Sequence, residues 1–154
     1  MRLKEYISKD LVFVIRGSAD KLSFLKDVTA SVKERLPSID TDKTLAALIE
    51  RENQASTGIG QGVAIPHTTL EGIGKTFCVV AKSPEGVDFE SRDSAPVHVI
   101  FLLLSPSGKV GNHLRILARI ARLASRKGLV SGILAAQNEA DVYTLIVKED
   151  DRHV

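Results

Sequence analysis

Residues 97–104, Val-His-Val-Ile-Phe-Leu-Leu-Leu, constrain the fold of this 154-residue chain more than any other stretch. The run is apolar everywhere except at His98. A strand that is apolar on both faces must be covered on both, so this one belongs at the centre of a sheet with helices above and below. It is far too short to span a membrane, and Ser105-Pro106-Ser107-Gly108 closes it with turn chemistry.

The flanking segments supply the layers. Residues 11–15 form a first strand closed by Gly17, and Ser18 is a plausible N-cap for a helix. Leu22, Leu25, Val28, Val32 and Leu36 recur at helical spacing until Pro37. Asp40 or Asp42 caps a second helix that buries Leu45, Leu48 and Ile49 and ends near Arg51. A cation at that end also suits the helix dipole, so Arg51 has a purely structural explanation available. Strands at 62–66 and 76–82 follow, then a turn at 83–86 and a short strand at 87–89. A helix from about 111 or 112 to 127 is stopped by Gly128, and short helices occupy about 129–136 and 139–148, the second capped by Asn138. The pattern predicts a single α/β domain over 1–154, a layered sandwich with a mixed sheet of about four or five strands flanked by helices on both faces. The short connection at 83–86 argues for at least one antiparallel pair.

Composition excludes several classes. With a formal net charge of +2, nothing global calls for nucleic acid. The lone cysteine, Cys78, sits in an apolar run as a small hydrophobe and cannot form an intrachain disulfide, which fits a reducing cytoplasm. The first residues are too charged for a signal peptide, and no membrane segment is evident. The four histidines, at 67, 98, 113 and 153, lack structural-zinc spacing, so no metal or cofactor is expected. His98 is expected to be a satisfied core or face residue, and His153 to belong to a loose tail.

The chemistry concentrates in residues 56–67, Ser-Thr-Gly-Ile-Gly-Gln-Gly-Val-Ala-Ile-Pro-His. Gly58, Gly60 and Gly62 punctuate a loop that feeds a short apolar strand. Pro66, with fixed φ and no N–H, ends the ladder and holds His67 at a defined exit angle. Imidazole is both a neutral nucleophile near pH 7 and a proton carrier, so a rigidly presented His67 suits a phosphoryl acceptor. The glycine spacing matches neither the dinucleotide fingerprint nor the P-loop. The alternative is a tight turn entering a buried strand, with His67 an ordinary strand-end residue.

His113 forms a second constellation in the first turn of the 111–127 helix, where free N–H groups and the dipole favour an anion. If strand 62–66 lies beside strand 97–104, their ends bring His67 and His113 together, and His113 could donate to a phosphoryl group on His67. The alternative is a surface residue with no role. On the same helix Arg115, Arg119, Arg122 and Arg126 form one stripe, while Leu114, Leu117, Ala121 and Ala124 line another. The basic stripe is either a solvated face or a ridge for an acidic partner or nucleic acid.

The run from Arg51 to His67, Arg-Glu-Asn-Gln-Ala-Ser-Thr-Gly-Ile-Gly-Gln-Gly-Val-Ala-Ile-Pro-His, resembles the signature of enzyme IIA domains of the fructose–mannitol class. These belong to the bacterial phosphoenolpyruvate-dependent phosphotransferase system. Asn112-His113-Leu114-x-x-Leu117-Ala118 resembles the family's second motif. The resemblance covers nearly the whole chain. It implies that His67 takes a phosphoryl group from the phosphocarrier HPr and passes it to a IIB component, with His113 orienting the group and Arg51 as its electrostatic companion. Thr57 and the amides near Gly58, Gly60 and Gly62 are further candidate donors. Glycine commonly follows the family's phosphorylated histidine. Here Thr68 and Thr69 follow it, and a β-branched residue narrows access.

With no IIB, HPr or membrane segment attached, the chain most resembles the nitrogen-regulatory branch, whose members are phosphorylated by an HPr-like carrier and act by binding target proteins. Residues 87–89, Val-Asp-Phe, also look closer to that branch. The resemblance thus implies a cytoplasmic phosphohistidine carrier rather than a stand-alone turnover enzyme. A sugar-specific enzyme IIA is the alternative destination, and a binding module that no longer accepts phosphate is a third reading.

Overall fold

The computed structural model describes residues 1–152, and His153, expected in a loose tail, lies outside them. Two 3₁₀ turns, Leu3–Glu5 and Lys9–Leu11, lead into β1 (Val12–Val14). Helices α1 (Lys21–Arg35) and α2 (Thr41–Gln54) come next, followed by three short strands, β2 (Gly58–Gly60), β3 (Val63–Ala64) and β4 (His67–Leu70). The long strands β5 (Phe77–Val87) and β6 (Val97–Pro106) precede α3 (Val110–Ala124), α4 (Leu129–Ala135) and α5 (Glu139–Asp151). The sheet runs β1-β5-β6-β3-β2, with β4 also pairing with β6. It is mixed: β5 is antiparallel to β6, whereas β3 and β4 are parallel to it.

The apolar run is the centre of the sheet, and its alternation builds two cores. Val99, Phe101 and Leu103 face α3, α4 and α5, while Ile100, Leu102 and Leu104 face α1 and α2. All six are at most 1% exposed, which is why the run shows no polar alternation. The expected layered α/β arrangement is the observed one, with six strands rather than four or five.

The differences from expectation have physical causes. Asp20, not Ser18, caps α1 by accepting from the Ser23 amide at 2.8 Å, while the Ser18 hydroxyl donates to Asp27. At the two candidate carboxylates of α2, Asp40 is the cap, 3.0 Å from the Lys43 amide. Residues 83–86 are not a hairpin turn: they are an irregularity inside β5, and the antiparallel connection is the loop after Val87. Helix α3 ends at Ala124, four residues short of Gly128, whose left-handed φ instead starts α4. Asn138 does cap α5, accepting from the Asp141 amide at 2.9 Å. His98 bonds through Nδ1 with the Ser83 carbonyl at 3.0 Å, and its ring lies against Gly86, so it is a satisfied face residue. Cys78 is fully buried, and burial pushes its thiol up to about 12, leaving it inert near neutral pH.

The basic stripe of α3 is not one surface. Arg115, Arg122 and Arg126 are exposed, but Arg119 is drawn inward onto Asp150 of α5. Asp150, 3% exposed, accepts from Arg119 Nε at 2.6 Å and from the Leu3 amide at 2.8 Å, tying both ends of the chain to α3. The buried stripe of α3 is His113, Ile116, Ile120, Leu123 and Ala124, and Leu114 is outside it at 58% exposed. Removing one partner from a buried pair leaves the other uncompensated. Asp150→Ala is therefore expected to lower unfolding free energy by about 3–5 kcal/mol. Urea unfolding measures this, and a loss below about 0.5 kcal/mol would contradict the buried pairing.

Candidate functional site

The site is built on the segment 63–70. Val63 and Ala64 pair with Val99 and Ile100, and His67 to Leu70 pair with Leu103 to Pro106, so the register is unchanged across the Ile65-Pro66 step. Pro66 does not end the ladder as expected: its carbonyl accepts from the Leu103 amide at 3.0 Å, and β4 begins at the next residue. Only the N–H that proline lacks goes missing, from the same edge facing β6 on which its carbonyl keeps its bond. Alternation places Val63, Ile65 and His67 on the α3 side of the sheet and turns Thr68 to the other. The backbone at Thr68 is an ordinary strand with no positive φ, so a β-branched residue fits there and does not crowd the face of His67.

The turn before this segment is fixed by geometry rather than by charge. Gly60, Gln61 and Gly62 all have positive φ, at 91°, 58° and 82°, and reverse β2 into β3. Asp93 accepts from the Gln61 and Ala95 amides at 2.9 and 3.1 Å, and those bonds hold its carboxyl below the usual range. A Cβ at Gly58 would collide with the Ser91 hydroxyl. The Gly58 amide is bonded to Ser56 Oγ at 3.0 Å. Gly58, Gly60 and Gly62 thus shape the turn, and none lines the cavity beside His67. Thr57 does line it, yet its amide and its hydroxyl are both given to Glu52, at 3.1 and 2.9 Å.

Glu52 is a residue the sequence reading passed over. It is 7% exposed in the last turn of α2, where a carboxylate opposes the dipole. Lys21 Nζ lies 3.5 Å from it, and the two Thr57 donors offset the rest of that cost. The bonds continue toward the site: the Thr57 carbonyl accepts from the Ile65 amide at 3.0 Å. The signal available in the sequence was an acidic residue placed on the wrong end of a helix.

Around His67 the expected partners converge. Nδ1 lies 2.8 Å from the Ile65 carbonyl, and Arg51 Nε is 3.3 Å from Nε2. A carbonyl can only accept and a guanidinium can only donate, so the neutral ring carries its proton on Nδ1 and its lone pair on Nε2. Arg51 also donates to the Ala55 carbonyl at 2.8 Å, closing the end of α2. One side chain therefore both closes the helix end and lies against His67. The His113 ring packs on His67 with centroids 5.6 Å apart. His113 is only 7% exposed, whereas His67 is half-buried and opens into a cavity of about 330 Å³ with Arg51, Ile59, Leu117, Ala118 and Ala121. Among the described residues no group of three His, Cys, Asp or Glu could hold a metal ion.

Burial depresses the pKa of His67, with the Arg51 charge adding to the effect against the opposing bond to Ile65. Burial likewise depresses His113, with His67 adding to it. Both rings are therefore neutral at pH 7 and stay so below the ordinary value near 6.5. Between the folded and unfolded pKa values the unfolded chain binds more protons. Their contribution to stability is thus complete above about pH 6.5 and is lost as pH falls below it. NMR titration of the imidazoles is expected to place both midpoints below 6.5. A midpoint above that value for His67 would contradict the buried, cation-flanked environment.

Comparison with known proteins gives the family. Residues 5–149 match the family model described as phosphoenolpyruvate-dependent sugar phosphotransferase system, EIIA 2. A nitrogen regulatory protein of Bradyrhizobium diazoefficiens is 31% identical over 146 residues, covering 95% of each chain. A PTS system fructose-specific EIIABC component of Bacillus subtilis is 28% identical over 97% of this chain, which spans only 24% of that longer protein. Among solved structures, the nitrogen regulatory protein IIA-Ntr of Neisseria meningitidis superposes with a TM-score of 0.84 at 28% identity, covering 94% of this chain and 98% of that one. The chain belongs to the EIIA type 2 family of the phosphoenolpyruvate-dependent sugar phosphotransferase system.

Proposed function

We propose that this chain is a phosphohistidine carrier in which Nε2 of His67 takes a phosphoryl group from an HPr-type phosphocarrier. The observation that carries the reading is the state of that ring, with Nδ1–H held by the Ile65 carbonyl and the Nε2 lone pair facing Arg51. The lone pair forms the new N–P bond as the P–N bond of the incoming phosphohistidine breaks, and that bond's electron pair returns to the donor nitrogen. The proton on Nδ1 stays in place, so the positive charge gained by the ring lies against the Ile65 carbonyl. A phosphoryl group brings roughly −1.5 to −2 charges. The Arg51 guanidinium, already at Nε2, neutralises part of that charge, and His113 faces it from the α3 side.

The surroundings suit protein docking. Ile59 is 44% exposed, and with Leu117, Ala118 and Ala121 it gives His67 an apolar margin for a partner. The product is passed on by protein–protein contact, in the cytoplasm, where the soluble donor resides. Among the described residues no helix is long and apolar enough to cross a membrane. The nitrogen regulatory relative, matched over 95% of each chain, supports a regulatory IIA that binds target proteins. The fructose-specific relative supports the alternative, a sugar-specific IIA that serves a IIB component. The chemistry at His67 is the same in both.

Incubation with phosphoenolpyruvate, enzyme I and an HPr-type carrier is expected to add one phosphoryl group, read as intact mass at neutral to alkaline pH. His67→Ala is expected to abolish uptake, and His113→Ala to slow it roughly 10- to 100-fold without abolishing it. Uptake by His67→Ala at the parent rate would assign the nucleophile elsewhere, and no uptake by a folded parent chain would leave a binding module. Thr68→Gly is expected to change the rate less than about twofold while costing about 1 kcal/mol of stability, as glycine does in a strand. A large gain in rate would show that Thr68 does obstruct the donor.

A further inference from the structure

Ser105 lies near the end of β6, is 1% exposed, and sets its hydroxyl 2.7 Å from Nδ1 of His113. No motif pointed to it. Two arrangements of the shared proton are possible, and they have opposite consequences at the site. If Nδ1–H donated to Oγ, the serine proton would be left unpaired in a buried position, because among the described residues His113 is the only partner of that hydroxyl. If the hydroxyl donates, both groups are satisfied by one bond. Nδ1 is then the acceptor, and the neutral imidazole must carry its proton on Nε2, which makes no hydrogen bond among the described residues.

We infer that Ser105 is a positioning residue that locks His113 in the Nε2–H tautomer, the opposite of the Nδ1–H tautomer that Ile65 imposes on His67. One ring thereby offers a lone pair and the other an N–H. The difference matters because phosphoryl oxygens only accept hydrogen bonds. A His113 with its lone pair on Nε2 would repel them, and one with N–H there stabilises them without needing a net positive charge. The phosphoryl half of this inference rests on the carrier reading above; the tautomer half does not.

Long-range ¹H–¹⁵N correlation spectra of the histidine-labelled protein near pH 7.5 test it directly. The expected spectrum has His113 protonated at Nε2 and His67 at Nδ1. In Ser105→Ala, which removes only a hydroxyl, His113 is expected to shift to a tautomer mixture while His67 is unchanged. A wild-type His113 protonated at Nδ1, or an unaltered His113 in the variant, overturns the inference. The rate of phosphoryl uptake supplies the second readout. Ser105→Ala is expected to slow it roughly five- to tenfold, the loss of one hydrogen bond, and to have no effect on a His113→Ala background. Equal losses on both backgrounds overturn the role through His113. Failure of the carrier reading looks different: the parent chain takes up no phosphoryl group, and the tautomer spectra still decide the hold of Ser105 on the ring.

Discussion

The parallel pairing of β3 and β4 along β6, carried without slip across Pro66, is the constraint on which the site depends. Strand β6 acts as a common ruler. It fixes His67 opposite Leu103, and two residues further on Ser105 takes hold of His113. A slip of one residue would turn His67 to the α2 side and separate the two rings. Burial of β6 on both faces makes such a slip expensive, because every core side chain would change layers at once. The rigidity of the site is therefore a property of the sheet, and the glycine turn before it serves mainly to deliver the strand in register.

Electrostatics then sorts the groups that the sheet brings together. Burial disfavours protonation of both imidazoles, and charge adds to it, from Arg51 at His67 and from His67 at His113. The result is a neutral imidazole at pH 7 next to a permanent cation. The cation does not act on the ring alone, since Arg51 also satisfies the carbonyl end of α2. Behind it, Glu52 balances Lys21 and fixes Thr57, which holds Ile65, whose carbonyl orients His67. An ion pair followed by a line of hydrogen bonds thus joins the start of α1 to the His67 ring.

Much of this was legible in the chain, and the failures share a cause. The apolar run of β6, the amphipathic α2 and the cap at Asn138 are local signals and were read correctly, and the cap of α2 was narrowed to Asp40 or Asp42. The proximity of His67 and His113 followed from placing two strands side by side, and Arg51 beside them was implied by the family resemblance. What local patterns could not show was what lies across the sheet. Pro66 looked terminal because its missing N–H is a local fact, whereas the bond its carbonyl keeps with Leu103 of β6 is not. Residues 83–86 carry turn chemistry yet stay in the sheet because β6 runs past them. Arg119 matched a surface stripe, and only the return of α5 with Asp150 makes it internal. Thr57 and the loop glycines looked like anion donors, but Glu52 and Ser91 occupy the positions that decide what they do. Ser105 gave no signal at all, since a serine before a proline at a strand end is unremarkable until a histidine packs on it.

The most direct test of the account is the identity of the nitrogen that carries phosphorus. The bond from Nδ1 to the Ile65 carbonyl leaves Nε2 as the only nucleophilic position on His67. NMR of the phosphorylated, ¹⁵N-histidine-labelled protein reports the linkage through ³¹P–¹⁵N coupling. Coupling to Nε2 of His67, with Nδ1 still protonated, is the result this structure predicts. Coupling to Nδ1 would mean that the ring turns over or leaves the Ile65 carbonyl before reacting, and would contradict the central claim that the strand fixes the nucleophile in advance.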